Sequence, residues 1–512
     1  MEELPVNFFW MTVNMLGDLF TSLPELLNSP QTKKNRPLYF FNTLTRKSEL
    51  FVLPAPAKKV RMYNCGPTVY DRQHIGNLSA AVFGDTIRRV LEYNGFPVQQ
   101  VINITDFGHL VSDGDDGEDK MSKGLKREGL TPSMDHMRDL GTKYMNIYLE
   151  DIHSLNVEIE KITFPRASDY VPAMIAMIET MEEKSYAYTT SDGVYFDTAR
   201  FANYGALGGI ANVEQQAGAR VKENSEKRSP ADFALWKVSG KGSKKIGWDS
   251  PWGKGFPGWH LECSAMINSI LGKQIDIHTG GIEHIAVHHN NEIAQSEVTT
   301  GKRPFSRFWM HREHIRMGDA KLAKSSGNVS YLSDVIDRGI HPVALRYWFL
   351  TSHYRTPSNF TWEALMASQQ ALVRLHEKMR DVRSDEMEAA PAKFLQAFSE
   401  RVNDDLDTAG AIAVLWDAVK NPDLSPSQLH AALLGADAVL GLSLEKPDER
   451  LLSLLSAPQM EQIPEEIRTL LEKRETARKE KRWTDADKAR DEIMSLGYRL
   501  EDSAEGPRVF KQ

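Results

Sequence analysis

"RMYNCGPTVYDRQHIGNLSAAVFGDTIRRVLEYNGFPVQQVINITD", residues 61 to 106, decides the fold. It opens on a short apolar run, "RMYNCG", that reads as a strand ending at Gly66 and Pro67. In the stretch that follows, Val82, Thr86 and Val90 recur at four-residue steps beside Phe83, Ile87 and Leu91. That spacing stacks both rows on one face of a helix, and Gly95 is placed to stop it. "PVQQVINITD" (97–106) is β-branched and alternating, which predicts a second strand. Strand, helix and strand within about 45 residues make a βαβ unit, and such a unit implies a parallel sheet.

Downstream, "DGDDGEDKMSKGLKREG" (113–129) is charged and glycine-rich and reads as the exit from that sheet. Helical text runs to about residue 185, and a more irregular region with strand signals such as "GVYFDT" leads to "SPADFALWK". The nucleotide-fold pattern then resumes. "GWHLECSAMINSILG" (258–272) predicts a helix and "QIDIHTGG" a strand ending on two glycines. One α/β domain is therefore split by an insertion of roughly 130 residues. Beyond about residue 330 the text is almost wholly helical, and the tail reads as a helical hairpin followed by two short strands. No internal repeat is present.

With 512 residues the chain is too long for one core. Its 41% hydrophobic and 26% charged residues are ordinary for a soluble globular protein. A net charge of −8 means that any RNA partner must be held by a local basic patch. Two cysteines argue against a disulfide scaffold and for a reducing compartment, so a cytoplasmic location is expected. No run reaches about 18 uncharged apolar residues, so no membrane association is expected. "MEELPVNFFWMTVNMLGDLFTSLPELLNS" begins with two glutamates near its start and carries Asp18, which makes a poor signal peptide. Residues 1–36 are read as an amphipathic or loosely ordered extension.

"HTGGIEHIAVHHNNEIAQSE" (278–297) packs four histidines beside three carboxylates. "VHHNNE" reads as the start of a helix on which His288 and Glu292 share one face. Cys65 ends the first strand, and Cys263 lies on the helix entering the second half. Two thiolates, an imidazole and a carboxylate suit zinc, and His289 points roughly 100° away from that face. The spacing equally allows two small buried cysteines and hydrogen-bonded histidines.

These residues also carry a resemblance. "CGPTVYDRQHIGN" resembles the start of class I aminoacyl-tRNA synthetases, with their HIGH signature written here as His74-Ile75-Gly76-Asn77. "GWHLECSAM", "HHNNEIAQSE", "WMHREHI" and "KLAKSSGN" together resemble the cysteinyl-tRNA synthetases. The similarity runs from "FFNTLTRKSELF" (40–51) through "GARVKENSEKRSPADFALWK" (218–237) to the C-terminal hairpin. It implies a split Rossmann-type nucleotide-binding domain, an α/β fold with an inserted domain, followed by a helical domain and a small C-terminal mixed α/β domain. The expected boundaries are 37–115 and 251–330 for the two catalytic halves and 116–250 for the insertion. Those that follow are 331–385 for a stem-contact region, 386–460 for a tRNA-binding bundle and 461–512 for an anticodon-binding domain.

The resemblance implies one zinc ion per chain on Cys65, Cys263, His288 and Glu292, taking the substrate's thiolate as a further ligand. It places Trp259 as the floor of the pocket. Thr105 and Glu283 fall on positions that hold the substrate, Glu283 standing in place of an aspartate. His278 and His260 line the cavity as neutral hydrogen-bond partners. At the ATP end it implies His74, Gly76 and Asn77, where Asn77 replaces a histidine and never carries a charge, so an altered pH response is expected. Two segments compete for the mobile lysine loop, "KMSKG" (120–124) and "KLAKS" (321–325). The loop must follow the second half of the split fold, which selects Lys321 and Lys324 and leaves Lys120 and Lys123 as a solvated run. The implied reaction joins L-cysteine to tRNA(Cys) through an adenylate, with Mg²⁺ on ATP, in a chain expected to be a monomer. Rival readings are a cysteine–amino-sugar ligase, which as a family lacks the C-terminal half, and a non-catalytic tRNA-binding paralogue. A zinc peptidase fits poorly, because "HHNNE" lacks the H-E-x-x-H spacing.

Overall fold

The computed structural model describes residues 36–108, 120–208, 225–239, 246–317, 320–321, 330–384, 388–455, 463–503 and 506–511. Residues 1–35 of the expected extension, and Lys324, lie outside them. A hairpin of β1 (Tyr39–Asn42) and β2 (Lys47–Leu50) leads into β3 (Val60–Asn64), α1 (Ile75–Tyr93) and β4 (Val98–Ile102). The βαβ reading of residues 61–106 holds, with β3 and β4 paired in parallel. Gly66 is needed at the end of β3, because a Cβ there would stand 1.8 Å from the Asn103 carbonyl oxygen.

Beyond β4 come α2 (Lys120–Arg127), α3 (Met134–Ser154) and β5 (Ile162–Thr163). β5 pairs in parallel with β4, although it falls inside the 116–250 span expected as insertion. Met137, Leu140, Tyr144 and Ile152 of α3 join the same core as Val82, Ile87 and Leu91 of α1. A charged, glycine-rich text hid this continuation. Only then does the chain leave the sheet, through α4 (Val171–Glu183), into four antiparallel strands. These are β6 (Ala187–Thr190), β7 (Gly193–Phe196), β8 (Phe233–Val238) and β9 (Gly255–Pro257).

α5 (Trp259–Ile270), β10 (Ile275–Gly281), α6 (His288–Thr300) and β11 (Ser306–Arg312) complete the central sheet. Among the described residues its order is β11-β10-β3-β4-β5, parallel throughout. The order reverses between β3 and β10, and a crevice at the carboxyl ends of two such strands is where α/β sheets bind ligands. Next, β12 (Ile315–Met317) pairs with β13 (Ala320–Lys321). Helices follow: α7 (Leu332–Asp337), α8 (Pro342–Leu350), α9 (Trp362–Val382), α10 (Ala392–Val402), α11 (Thr408–Lys420), α12 (Pro426–Leu440) and α13 (Glu449–Leu455), with one short strand, β14 (Ser358–Asn359). The tail is α14 (Glu465–Lys479), α15 (Trp483–Ser495) and the hairpin β15 (Tyr498–Ser503) with β16 (Gly506–Lys511), around a core of its own. Among the described residues no helix is long and apolar enough to cross a membrane.

The helical region is fastened to the catalytic sheet by a buried charge node. Asp85 of α1 is fully buried and pairs with Arg88, with Arg89 at 2.7 Å and with Arg346 of α8 at 2.7 Å. Arg346 also donates to the Leu440 carbonyl at 2.7 Å and the Asn156 carbonyl at 3.1 Å. Gly441 closes α12 at φ 64°, and a Cβ there would stand 2.7 Å from that guanidinium. Burial opposes the charge on Asp85, yet Arg89, Arg346 and Arg88 hold its carboxyl well below the usual carboxylate range. Asp85→Asn should therefore destabilise the protein by about 3–5 kcal/mol, since it strands buried guanidinium charge. The folded pKa lies below the unfolded one, so the contribution is complete above about pH 4 and fades only as acid drives pH toward the folded value. Urea unfolding midpoints of parent and variant, compared at pH 7 and pH 3, check both the size and the sign.

Candidate metal and adenylation site

The switch point brings four donors together. Cys65 follows β3, Cys263 lies on the second turn of α5, and His288 and Glu292 stand one turn apart on α6. The ligand atoms of Cys65, Cys263, His288 and Glu292 all lie within 4.8 Å of one another. His288 Nε2 is 2.9 Å from Glu292 Oε1 and 3.7 Å from Cys263 Sγ, and Cys65 Sγ is 3.9 Å from the same carboxylate oxygen. Their burial, and the mixture of two sulfurs, one nitrogen and one oxygen, fit a thiophilic divalent metal.

His289 is closer to this site than its helical angle indicated. Its Nε2 lies 3.3 Å from Cys65 Sγ, and Cys65, His278, His289 and Glu292 form a second group of the same compactness. Cys65 Sγ thus lies within 4.8 Å of a ligand nitrogen on His288 and of one on His289, although the two side chains leave α6 in different directions. His278 is fully buried, hydrogen-bonded to Glu292 at 2.9 Å and stacked on Trp309 at 4.4 Å. Burial pushes His289 and His311 well below the ordinary histidine value, and they share a 2.7 Å hydrogen bond. Burial also opposes charge on His288, but Glu292 and Cys263 hold it up to about 10. The same contacts, with His278 first, bring Glu292 down to about 2 against the effect of burial. A hydrogen bond from Cys65 lowers Cys263 to about 6.

The remaining expected residues surround this centre. Trp259 begins α5, with its ring 4.4 Å from His288 and 5.2 Å from His260. Thr105 is buried just past β4 and donates to Glu262 at 2.6 Å. Glu283 lies on the single turn after β10, largely exposed, 3.4 Å from His314. His74 caps α1, its Nδ1 accepting from the Asn77 backbone N–H at 3.3 Å. Gly76 and Asn77 occupy the first turn of α1, with Asn77 exposed. Lys321 ends β13, while its side chain and Lys324 lie outside the described residues. Both flanks of that segment are nonetheless fixed. β13 pairs with β12, and Tyr331 forms an antiparallel bridge with His74 while Ile75 N–H donates to Ser330 at 3.0 Å.

Reading Lys120 and Lys123 as a solvated run holds for Lys123 alone. Met121 and Leu125 are fully buried and turn α2 so that Lys120 is half-buried, its Nζ 5.5 Å from the Trp259 ring centroid. Sequence reasoning also missed Glu262, Trp309 and His311. All three lie inside quoted blocks, but nothing in their spacing marked them. At the other end of the chain, Trp483 is 60% exposed at the start of α15. Beside it Arg482 pairs with Glu480 and Asp485, while Lys479 and Lys481 are exposed.

A parallel sheet in this order, with its site at the switch point and the signature at the head of α1, defines a class I aminoacyl-tRNA synthetase. A family profile described as the catalytic domain of class I (C) tRNA synthetases matches residues 51–370, and the cysteinyl-tRNA ligase anticodon binding domain matches residues 460–506. The chain belongs to the cysteine–tRNA ligase family. Cysteine–tRNA ligase 1 of Burkholderia lata is 44% identical over 93% of this chain and 97% of its own length. The cysteine–tRNA ligase of Chlamydia felis is 39% identical over 94% of this chain and 99% of its own. Among solved structures, a Mycobacterium tuberculosis methionyl-tRNA synthetase bound by methionyl-adenylate shares the fold, with a TM-score of 0.51 and 11% identity over 79% of this chain and 95% of that one.

Thiol accessibility follows from this geometry. In metal-free protein both thiols should react slowly with an aromatic disulfide reagent, Cys263 because it is 2% exposed and half-buried Cys65 because burial pushes its thiol well above the ordinary value. Adding a divalent metal should suppress both reactions, and timed thiol titration of the parent and of Cys65→Ser and Cys263→Ser checks it.

Proposed function

We propose that the chain activates L-cysteine with ATP and Mg²⁺ and transfers it to tRNA(Cys), with zinc held by Cys65, Cys263, His288 and Glu292. The observation that carries this reading is the convergence of those four donors at the sheet's switch point in a cysteine–tRNA ligase. When bound there, zinc supplies a soft Lewis-acid seat for the substrate's sulfur, a seat that a serine hydroxyl fills poorly. Pocket size alone discriminates weakly between near-isosteres, so selection rests on the sulfur.

The chain's own groups do the rest by positioning and charge. Trp259 walls the pocket beside His288, and Thr105 and Glu283 orient the amino acid, with His278 holding the Glu292 carboxylate in place. Because His74 Nδ1 accepts from Asn77, its proton stands on Nε2, the tautomer that donates to a phosphate oxygen. The positive end of the α1 dipole lies at the same place, where Gly76 carries no side chain to obstruct the nucleotide. Lys321 and Lys324 meet the triphosphate, and the bridge from Tyr331 to His74 supports that placement. Attack of the carboxylate on the α-phosphorus releases pyrophosphate, and the tRNA's terminal ribose hydroxyl then takes the acyl group. The match of residues 460–506 to an anticodon-binding domain supports tRNA over an amino sugar as acceptor. Trp483 and its basic neighbours are the residues we assign to base stacking and phosphate contact.

Cysteine-dependent ATP–pyrophosphate exchange tests this reading. Metal-loaded parent should exchange with cysteine and not with serine, and Cys263→Ala should lose roughly a hundredfold or more of that rate. Absence of exchange from folded, zinc-replete protein would favour the non-catalytic paralogue.

A further inference from the structure

The "KMSKG" segment precedes the loop it imitates by about 200 residues, but it is built into the site. α2 is seated on the turn that links Cys65 to His74. A Cβ on Gly124 would stand 2.7 Å from the Tyr70 carbonyl oxygen, so the helix backbone rests directly on that turn. Arg127 donates to the same carbonyl at 2.8 Å, to the Tyr144 hydroxyl at 3.0 Å, and pairs with Asp71 at 2.8 Å. Buried Met121 and Leu125 fix the rotation of the helix. Its first residue, Lys120, is thereby held over Trp259, whose ring touches the metal-ligand candidate His288. An ammonium group thus stands at the seam between the thiol-selecting pocket and the loop leading to the ATP end.

We propose that Lys120 binds the carboxylate of the amino acid substrate. This rests on the adenylation reading of the same site. A substrate whose sulfur is held among Cys65, Cys263, His288 and Glu292 must present its carboxylate toward the α-phosphate, and so toward the end of the pocket where α1 begins. Glu283, on the turn after β10, carries a negative charge and cannot pair with a second carboxylate. Lys120 supplies the missing sign, and its contact with the Trp259 face keeps the long side chain extended across the mouth of the pocket.

The test compares two thiols that differ only in the carboxylate. L-cysteine and cysteamine are titrated calorimetrically into zinc-loaded parent, Lys120→Met, Lys120→Arg and Lys123→Met. Methionine keeps the apolar stem over Trp259 and removes the charge, while Lys123 is exposed and serves as the control. Lys120→Met should weaken cysteine roughly tenfold or more and leave cysteamine unchanged. Lys120→Arg should recover most of the loss, and Lys123→Met should match the parent. In exchange kinetics the same variant should raise KM for cysteine without raising KM for ATP. Equal weakening of both thiols would overturn the proposal, since Lys120 would then only pack the pocket wall, and so would unchanged cysteine binding. A parent that binds cysteine yet fails to exchange would sink the adenylation reading instead, while the cysteine-to-cysteamine ratio still decides the role of Lys120.

Discussion

The buried carboxylate of Asp85 is the constraint on which the rest of the molecule depends. It sits on the helix whose first turn carries the nucleotide signature, and it is reached by a guanidinium from the helical region. Burying one carboxylate with three arginines is tolerable because Glu92 and Glu158 also pair with Arg88, and Arg346 and Arg89 spend their remaining donors on the carbonyls of Leu440, Leu155 and Asn156. Burial still pulls Arg346 down to about 10, a sign of how completely water is excluded there. The orientation of the catalytic helix and the end of α12 are therefore set by one shared set of hydrogen bonds. A change in either region is felt in the other without any intervening loop.

At the metal site the same physics gives a different outcome. Burial drives His260, His284, His289 and His311 toward their neutral forms, and neutral imidazoles can ligate a metal or accept hydrogen bonds. His288 is the exception, because it shares its surroundings with a carboxylate and a thiol that favour its proton. The two candidate ligand groups overlap in Cys65 and Glu292, so a metal held by either group would rest on these two residues. His278 is hydrogen-bonded to Glu292 and His311 to His289, the kind of supporting contact on which metal sites depend.

Much of this was legible in the sequence, and for definable reasons. The βαβ unit was visible because Val82, Thr86 and Val90 keep a strict helical step, and the pairing of His288 with Glu292 because a helix puts them on one face. The continuation of the first half through α3 to β5 was not, since β5 is two residues long and preceded by a charged stretch without periodicity. Nor was Lys120. Its role depends on rotation about a helix whose buried face is only Met121, Gly124 and Leu125, too short a pattern to distinguish from a surface run. The approach of His289 to Cys65 was not legible either, because helical angle says where a side chain leaves its own helix, not where a thiol from another strand will meet it.

The central sheet has a consequence for how the chain is made. Asn64 of β3 donates to Thr279 of β10, a partner 215 residues further along. During synthesis β3 and β4 emerge early, but one edge of β3 has no neighbour until the whole insertion and α5 have followed. The candidate ligand cluster shares that timetable, because Cys65 waits for His288 and Glu292. The insertion contributes Phe196, Phe233 and Trp236 to the core that also holds Cys263 and Met266, so it must be packed before the sheet can close. Completion of the catalytic domain is thus a late, long-range event, and a nascent chain paused before residue 292 exposes an open strand and a thiol without its cluster partners.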